Sequence, residues 1–327
     1  ATTVIYTLSL HDALPIFKNQ YLVRPNVVKP EDHNDHFIAD KGIELIESIP
    51  KDVPYCTVIS LPGPHPPLDA PGRYATMYDP DKLTLPPNIK TDFTYSKSFY
   101  SEKVLRQCRA DYYGKITMID DCIGKILDTI KKRGNYDNTL IMVISDHGEM
   151  LGAHGMMSKG KFWEESARVP LIMQWPAKIK PNQICKSPVE LFDVYPTIVE
   201  AIGGKASEDI FAKSVLPIAA GKTTQIRDAA FSEIGHKDFL NYMVRMDNYK
   251  WFVTNDKEYL FDLDKDPWEM NNLINDAKYK PIIEKINNRH LQYMRLVQLN
   301  LSRSYIPAVE RARMVAETKK DKKKQNQ

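Results

Sequence analysis

The stretch Thr139-Leu-Ile-Met-Val-Ile-Ser145 is a continuous apolar run, and Asp146-His147-Gly148-Glu149 follows it at once. A short run of this kind is typical of a strand that is buried on both faces. In open α/β sheets, ligands bind just beyond the carboxyl ends of the strands. A carboxylate and an imidazole at that edge suit a divalent cation, so Asp146 and His147 are candidate metal ligands. The alternative is that Asp146 caps a turn and His147 lies on the surface.

The segments around this strand predict an α/β layered domain with a mostly parallel sheet. Apolar residues recur every three or four positions from Leu105 to Ile130, which predicts a long helix that ends before Gly134. Helices are also expected at Asp40–Ile49, capped by Asp40, and at Val189–Ile202, and strands at Tyr55–Leu61 and Leu171–Trp175.

Beyond about residue 226 the pattern changes to short strands joined by Asp-Asn and Asn-Asp turns. It predicts a small carboxyl-terminal α+β subdomain with an antiparallel sheet and a closing helix near Pro281–Leu299. The expected domains are therefore an α/β core at 17–225, this subdomain at 226–310 and a basic, disordered tail at 311–327. The expected strands lie around Ala229–Glu233, Tyr242–Arg245, Lys250–Thr254 and Tyr259–Asp262.

Two more residues are candidates for chemistry on an anionic group. Lys159 lies thirteen residues after Asp146, where an ammonium beside a metal could neutralise negative charge, although it could equally be a solvated lysine like Lys161. His65 stands between Pro64 and Pro66 on a stiff loop, which would orient a ligand or an acid. A lone loop histidine is, however, more often merely exposed.

The bulk composition narrows the classes of function. The net charge is +3, but the segment Lys319–Lys324 carries +4, so the rest of the chain sums to −1. This near-neutral balance does not indicate binding to nucleic acid. No run is long and apolar enough to predict a membrane segment. The four cysteines have apolar neighbours and no metal-binding spacing, which favours free buried thiols over disulfides; they are Cys56, Cys108, Cys122 and Cys185.

Several motifs in one order resemble the sulfatases of the alkaline-phosphatase superfamily, particularly the bacterial formylglycine-type group. They are GPHPP, the block DNTLIMVISDHGEMLGAHGMMSKGKFWEESARVPLIMQWP, DVYPTIVEAIGG and YLFDLDKDPWEMNNL. Together they span the chain from about residue 30 to 300. The resemblance implies a three-layer alkaline-phosphatase-like core with a mostly parallel sheet, incomplete in this chain. It also implies the hydrolysis of sulfate esters.

The same resemblance implies roles for individual residues. Asp146 and His147 match metal ligands, the metal being a divalent cation and in this family most often Ca²⁺. Lys159 matches the lysine that contacts the sulfate, and His65 matches the histidine near the leaving-group oxygen, so both are candidate catalytic and substrate-binding residues. His154 lies in the loop of Lys159 and is expected to support substrate binding by holding the residues that contact the substrate.

One part of the family pattern is missing. The nucleophile of these enzymes is a formylglycine made from a C/S-x-P/A-x-R motif, and none of the four cysteines begins such a motif. The family's amino-terminal metal-binding aspartates and its GKWHLG segment are also absent. The first 16 residues resemble translated sequencing-adapter text with the core SLHDALPI. We therefore expect a non-native leader at 1–16 and a chain that is truncated at its amino terminus and inactive by itself.

The sequence thus predicts a fragment of a sulfuric ester hydrolase whose substrate is a sulfated small molecule or glycan. A phosphodiesterase or phosphonate monoester hydrolase of the same superfamily is the alternative within the fold. A non-catalytic binding protein with this fold is the alternative from another class, and it would have a contiguous reading frame without the nucleophile motif. The location is unknown from this chain; the resemblance implies a periplasmic or secreted protein.

Overall fold

The computed structural model describes residues 4–8, 28–89, 101–207, 211–236 and 239–304. They divide into two compact units. The N-terminal unit lies within Ala1–Ile184 and takes in Ala219–Gly221, and the C-terminal unit lies within Cys185–Ile218 and Lys222–Gln327. The domain limits expected from the sequence stay a prediction, and the tail 311–327 lies outside the described residues.

The helices and strands follow one another through both units. The helices are α1 Asn34–Ser48, α2 Glu102–Arg133, α3 Glu164–Ala167, α4 Val194–Ala201, α5 Leu216–Ala219 and α6 Lys280–Ser304. The strands are β1 Val4–Leu8, β2 Tyr55–Ile59, β3 Ile141–Ile144, β4 Leu171–Gln174, β5 Ala229–His236, β6 Phe239–Met246, β7 Tyr249–Thr254 and β8 Lys257–Asp262.

Helix α2 is the main support of the N-terminal unit. Ser101 caps its start by accepting a hydrogen bond from the Val104 backbone N–H, and Gly134 ends it at φ 81°, in the left-handed region that glycine tolerates. The predicted long helix is thus confirmed. Its buried face includes Leu105, Cys108, Met118 and Cys122, and α1 packs against it.

Helix α1 begins six residues earlier than the sequence predicted. Its amino-terminal cap is His33, whose Nδ1 accepts a hydrogen bond from the Asp35 N–H at 3.3 Å. The expected cap, Asp40, lies inside the helix. The prediction was wrong because an imidazole takes the place of the usual capping oxygen.

The described strands of the N-terminal unit form one parallel and one antiparallel pair. β1 runs parallel to β2, with Val4 opposite Tyr55, whereas β3 is antiparallel to β4, with Ile141 opposite Gln174. The second pair therefore differs from the parallel arrangement that predominates in the expected sheet. A parallel pair needs a crossover connection, usually one that contains an α-helix packed on the sheet, and the helix in the connection here is the four-residue α3.

The strands of this unit also bear on the expected burial of β3 and β4 and on the expected leader at 1–16. β3 and β4 are not buried on both faces, since Ile144 is 44% and Ile172 60% exposed. The strand β1 lies within residues 1–16, which were expected to be a non-native leader outside the fold. That these residues are a non-native leader stays a prediction.

The C-terminal unit contains the predicted antiparallel sheet, in the order β5-β6-β7-β8. The β7–β8 hairpin turns through Asn255 and Asp256, both at positive φ, as tight hairpins require. Helix α6 closes the unit over a core of large apolar residues, including Val244, Trp251, Leu260 and Ile286. The four strands and the closing helix expected from the sequence are confirmed.

A buried ionic cluster joins the start of α4 to the strand region of this unit. We call Arg227, Asp193 and Glu190 the Arg227 cluster. Arg227 Nη2 donates to Asp193 Oδ1 at 2.6 Å, Arg227 Nη1 contacts both Asp193 Oδ2 and Glu190 Oε2, the latter at 3.0 Å, and the three side chains are at most 8% exposed. Backbone N–H groups donate to the same carboxylates, from Lys213 to Asp193 and from Phe231 to Glu190.

The cysteines are free thiols, as expected. Cys108 and Cys122 are buried, and burial raises the pKa of each thiol to about 12. Cys185 is exposed, contrary to the expectation of burial. Among the helices of the described ranges, none has the length and apolar character needed to cross a membrane.

Candidate functional site

Asp146 and His147 lie together at the carboxyl end of β3. Asp146 Oδ2 is 3.4 Å from His147 Nε2, and the side chains are 77% and 34% exposed. His147 Nδ1 lies 2.8 Å from the Gly148 carbonyl oxygen, which can only accept, so Nδ1 carries the proton. Nε2 of His147 is therefore unprotonated, and it lies close enough to the Asp146 carboxylate for both to contact one cation.

This pair fits two corners of the coordination shell of a hard cation. Two ligands at right angles, each about 2.3–2.6 Å from a calcium ion, are about 3.3–3.7 Å apart, and the observed separation is 3.4 Å. Two ligands do not complete a shell of six to eight. The geometry of Asp146 and His147 is therefore compatible with part of a cation site.

The turn after His147 depends on the absence of a side chain at Gly148. A Cβ there would lie 1.9 Å from the Glu165 carbonyl oxygen. The Gly148 N–H instead donates to the Ser166 carbonyl at 2.9 Å. The Asp146–His147 segment is thereby fixed against the backbone of α3.

The loop from Glu149 to Ser158 delivers Lys159. Glu149 Oε1 accepts hydrogen bonds from the Leu151 N–H at 3.3 Å and from the Ser158 N–H at 2.5 Å. The Met150 N–H donates to the Ser158 carbonyl at 2.9 Å. The two ends of the loop are thus held together, and Lys159 follows directly.

Lys159 and His65 are brought into contact although 94 residues separate them. Lys159 Nζ is 3.0 Å from His65 Nε2, and His65 Nδ1 is 2.6 Å from the Pro66 carbonyl oxygen. Since that carbonyl can only accept, Nδ1 carries the proton and Nε2 accepts from the ammonium. The structure therefore assembles the two residues that the sequence singled out for chemistry on an anionic ester.

A small cleft opens beside His65, between the start of α1 and the proline-rich loop that carries His65. It is lined by Asn34, Asp35, Gly63, His65, Asp69 and Lys115. Asp35 is fully buried. Burial raises the pKa of its carboxyl, but the adjacent His33 side chain and the Gly63 N–H, which donates to Oδ1 at 2.9 Å, outweigh this and hold that pKa below its usual value.

His154 occupies a different network. Asn88 Nδ2 lies 3.1 Å from His154 Nε2 and 2.6 Å from Glu165 Oε1. The His154 ring stacks on Trp163 with centroids 3.8 Å apart. These contacts explain how His154 stabilises the loop that carries Lys159; its supporting role towards the substrate stays a prediction.

Sequence reasoning missed the residues that hold the proline-rich loop. Lys115 is 3% exposed and bonds to that loop, and Asp111, one turn earlier on α2, is buried with its pKa raised to about 6, mainly by desolvation. Neither belongs to a recognisable motif. The one available signal was a charged residue on the apolar face of the predicted helix.

The fold is that of alkaline-phosphatase-like proteins, and solved structures superpose on the chain. A protein in complex with its substrate D-glucosamine-2-N,6-O-disulfate matches with a TM-score of 0.72 and 21% identity, over 82% of this chain and 70% of that one. The phosphonate monoester hydrolase of Agrobacterium radiobacter matches with a TM-score of 0.71 and 25% identity, over 84% and 62% of the respective chains.

The family follows from sequence profiles. The profile described as "Sulfatase" matches residues 8–204, and the profile described as "N-sulphoglucosamine sulphohydrolase, C-terminal" matches residues 152–296. The chain belongs to the sulfatase family, which confirms the resemblance of its motifs. An arylsulfatase of Clostridium perfringens is 29% identical over 282 residues, which cover 81% of this chain and 59% of that protein. The chain spans 59%, 61% and 49% of the first three curated relatives that it matches.

Proposed function

We propose that this chain is the part of a sulfuric ester hydrolase that binds and neutralises the sulfate group. The observation that carries the proposal is the 3.0 Å contact between Lys159 Nζ and His65 Nε2. An ammonium and an imidazole joined in this way suit the departure of an anionic oxygen. Membership of the sulfatase family supports the same reaction class.

Asp146 and His147 would hold the divalent cation that this family generally uses. Their 3.4 Å separation and the deprotonated Nε2 of His147 fit one cation. Calcium is the ion that we propose, because the Asp146 carboxylate and water at this exposed position would supply oxygen ligands, which it prefers. When bound, the cation would supply positive charge beside the sulfate oxygens. The remaining ligands would come from outside the described residues.

Lys159 and His65 would act on the leaving group. The ammonium of Lys159 stabilises negative charge that develops as the S–O bond breaks, and fixed donors of this kind act strongly in a site from which water is excluded. Because Lys159 is hydrogen-bonded to His65 Nε2, a proton can be passed within the pair. The leaving oxygen takes that proton and departs as an alcohol, while the sulfuryl group forms its new bond to the nucleophile, which on this proposal the region upstream of residue 17 supplies.

A sulfated glycan is the substrate class that we propose. The support is the superposition on a protein bound to a disulfated glucosamine and the match to a profile named for N-sulphoglucosamine sulphohydrolase. Both concern amino sugars that carry sulfate. An N- or O-sulfated glucosamine is therefore the first substrate to test.

The experiment starts from the reading frame upstream of residue 17, which on this proposal encodes a C/S-x-P/A-x-R motif. The complete protein is this chain joined to that upstream region, and it is assayed for sulfate release from 4-nitrophenyl sulfate and glucosamine 6-sulfate. We expect turnover from the complete protein and none from the 327-residue chain, in which no cysteine begins the nucleophile motif. A contiguous frame without the motif would instead support the non-catalytic binding protein.

A phosphonate monoester hydrolase is the second candidate, because one such enzyme superposes on the chain at a TM-score of 0.71. The same cation and ammonium would serve a phosphonate ester. The complete protein is therefore also assayed with 4-nitrophenyl phenylphosphonate. A kcat/KM for this ester above that for the sulfate ester would reverse the assignment.

A further inference from the structure

Lys115 is a buried lysine with its donors directed at a single loop. It lies in the middle of α2 and is 3% exposed. Its Nζ donates to the carbonyl oxygens of His65 at 3.0 Å and Pro67 at 2.9 Å. A third bond reaches Asp69 Oδ1 at 3.3 Å.

The loop that receives these bonds is rich in proline, and Leu68 anchors it in a buried cluster with Cys108 and Leu151. Pro66 and Pro67 have no N–H to donate, and the His65 N–H donates to the Pro62 carbonyl at 3.1 Å. Backbone carbonyls that are removed from water need a donor. Lys115 supplies donors to two of them, and one belongs to His65 itself.

The orientation of the His65 ring follows from the backbone that Lys115 fixes. His65 Nδ1 bonds to the Pro66 carbonyl, so the ring is oriented by the same short segment. Its Nε2 then meets Lys159 at 3.0 Å. A displacement of the loop by one ångström would break that contact, since hydrogen bonds extend to only about 3.2 Å.

The charge of Lys115 is compensated locally. Asp69 accepts one bond, and its side chain is 26% exposed. Asp111 lies four residues earlier on the same helix face and is buried. Because Asp69 keeps contact with water, a neutral side chain at position 115 would not leave that carboxylate stranded in the interior.

We propose that Lys115 is a positioning residue, which sets the place of the His65 imidazole through the backbone of the His65–Asp69 loop. The proposal rests on the proposed function in one respect, namely that His65 assists the leaving group. Lys115 is 3% exposed and directs its donors at the loop, so its effect on the substrate is indirect. Loss of Lys115 should therefore lower kcat/KM most for substrates whose leaving oxygen needs a proton.

The first experiment compares two leaving groups in the complete protein. Lys115→Met keeps the length of the side chain and removes its donors. We expect kcat/KM for an alkyl or sugar sulfate to fall about 10²-fold, the size of effect that a misplaced catalytic group can cause. With 4-nitrophenyl sulfate, whose leaving group needs no proton, the fall should stay within about threefold, because general acid catalysis contributes little there.

Ile130→Ala is the matched control. It removes buried volume near the far end of the same helix and touches no residue of the loop. We expect it to lower the melting temperature and to change both substrates equally. Equal losses with both substrates in Lys115→Met would overturn the proposal, since they would indicate a merely structural role.

The second experiment asks whether Lys115 acts through His65. In the His65→Ala background, Lys115→Met should cause no further loss with the alkyl sulfate, because residues that act as one unit are strongly non-additive. Additive losses would overturn the proposal. If Lys115→Met does not fold, Lys115→Gln replaces it, and the same ranking of the two leaving groups is expected.

A direct observation of His65 separates this proposal from the proposed function. In ¹⁵N spectra of histidine-labelled complete protein, the His65 ring should show the Nδ1–H tautomer, and Lys115→Met should move it towards an average of the two tautomers. An unchanged signal would overturn the positioning role even if the protein hydrolyses sulfate esters. A changed signal without sulfate release would support positioning and contradict the proposed function.

Discussion

Asp146 in the N-terminal unit and Asp193 in the C-terminal unit are both aspartates in motifs that match sulfatases, but their surroundings are opposite. The Asp146 side chain is 77% exposed, whereas that of Asp193 is fully buried. Asp193 receives the Arg227 guanidinium on both oxygens and two backbone N–H groups as well. The oxygens of Asp193 have no capacity left for a ligand, and those of Asp146 do.

The difference teaches that a motif by itself does not separate a binding residue from a structural one. The hydrogen-bond partners of each oxygen do, because a buried charge must be compensated by the protein. Asp193 therefore contributes to the stability of its unit, and Asp146 is available for chemistry. Each of the following predictions tests either the chemistry proposed for the N-terminal unit or the stability of the C-terminal unit.

The largest effect is expected from breaking the Arg227 cluster. Arg227→Met leaves Asp193 and Glu190 buried without their cation, and removing one partner of a buried ion pair typically costs about 3–5 kcal/mol. Urea unfolding measures the loss. Arg289→Met is the control, because Arg289 pairs with an Asp228 side chain that is 51% exposed, and such pairs contribute about 0–1 kcal/mol. Similar losses in both variants would contradict the structural role of the cluster.

The next effect concerns turnover. Lys159→Ala in the complete protein should lower kcat about 10²–10³-fold, or roughly 3–4 kcal/mol, because one charged donor to the transferring group is lost. Lys161→Ala should change kcat by less than a few-fold, since the contact with His65 belongs to Lys159. Steady-state kinetics with a sulfate ester decides. A larger loss at Lys161 would show that the sulfate contact has been assigned to the wrong lysine.

A smaller effect is expected from the cation. Calcium at 100 times its dissociation constant should stabilise the complete protein by about 2.7 kcal/mol, and Asp146→Asn should remove most of that gain. Asp137→Asn, at an exposed position before the same strand, should leave it unchanged. Melting temperatures with calcium and with a chelator provide the measurement. The 327-residue chain alone should bind calcium weakly, because Asp146 and His147 are only part of a shell.

The smallest effect is a pH dependence in the C-terminal unit. Burial lowers the pKa of His290 below its usual 6.5, and the ring is stacked on Tyr242. Above pH 6.5 the imidazole is neutral whether the chain is folded or not. As the pH falls below 6.5, the unfolded chain takes up a proton that the folded one resists, so the free energy of unfolding decreases.

His290→Phe keeps the aromatic contact and removes the titration. The free energy of unfolding should then fall less steeply between pH 6.5 and 5. The difference in slope should correspond to less than one bound proton. Unfolding curves at several pH values give the slope. An unchanged slope in His290→Phe would mean that other groups cause the acid sensitivity.

The sequence predicted those parts of the fold and site that local patterns determine. The period of α2, the glycine after it and the turns of the C-terminal sheet are local signals, and each was found at its expected place. The partner of β3 was not predicted, because strand direction depends on the connection between strands. The roles of Lys159 and His65 came from the family resemblance, and only the structure supplied their contact.

The positions that were missed share a physical cause. Lys115 acts on the carbonyls of a loop 48–50 residues away, and no periodicity or motif records a bond to a distant backbone. The His33 cap of α1 was missed because histidine is not among the usual capping residues. Asp193 stood in a recognised motif, yet its partner Arg227 lies 34 residues further on.

The carboxylate of Glu149 has a consequence for how this family can vary. It ties the N–H of Leu151 and of Ser158 to one oxygen, so the intervening residues form a closed ring of fixed size. An inserted or deleted residue would have to open that ring and would rotate Lys159 away from His65. Substitutions inside the ring are therefore far easier to accept than changes in its length. The spacing between Asp146 and Lys159 becomes a quantity that natural variation and protein engineering must both preserve.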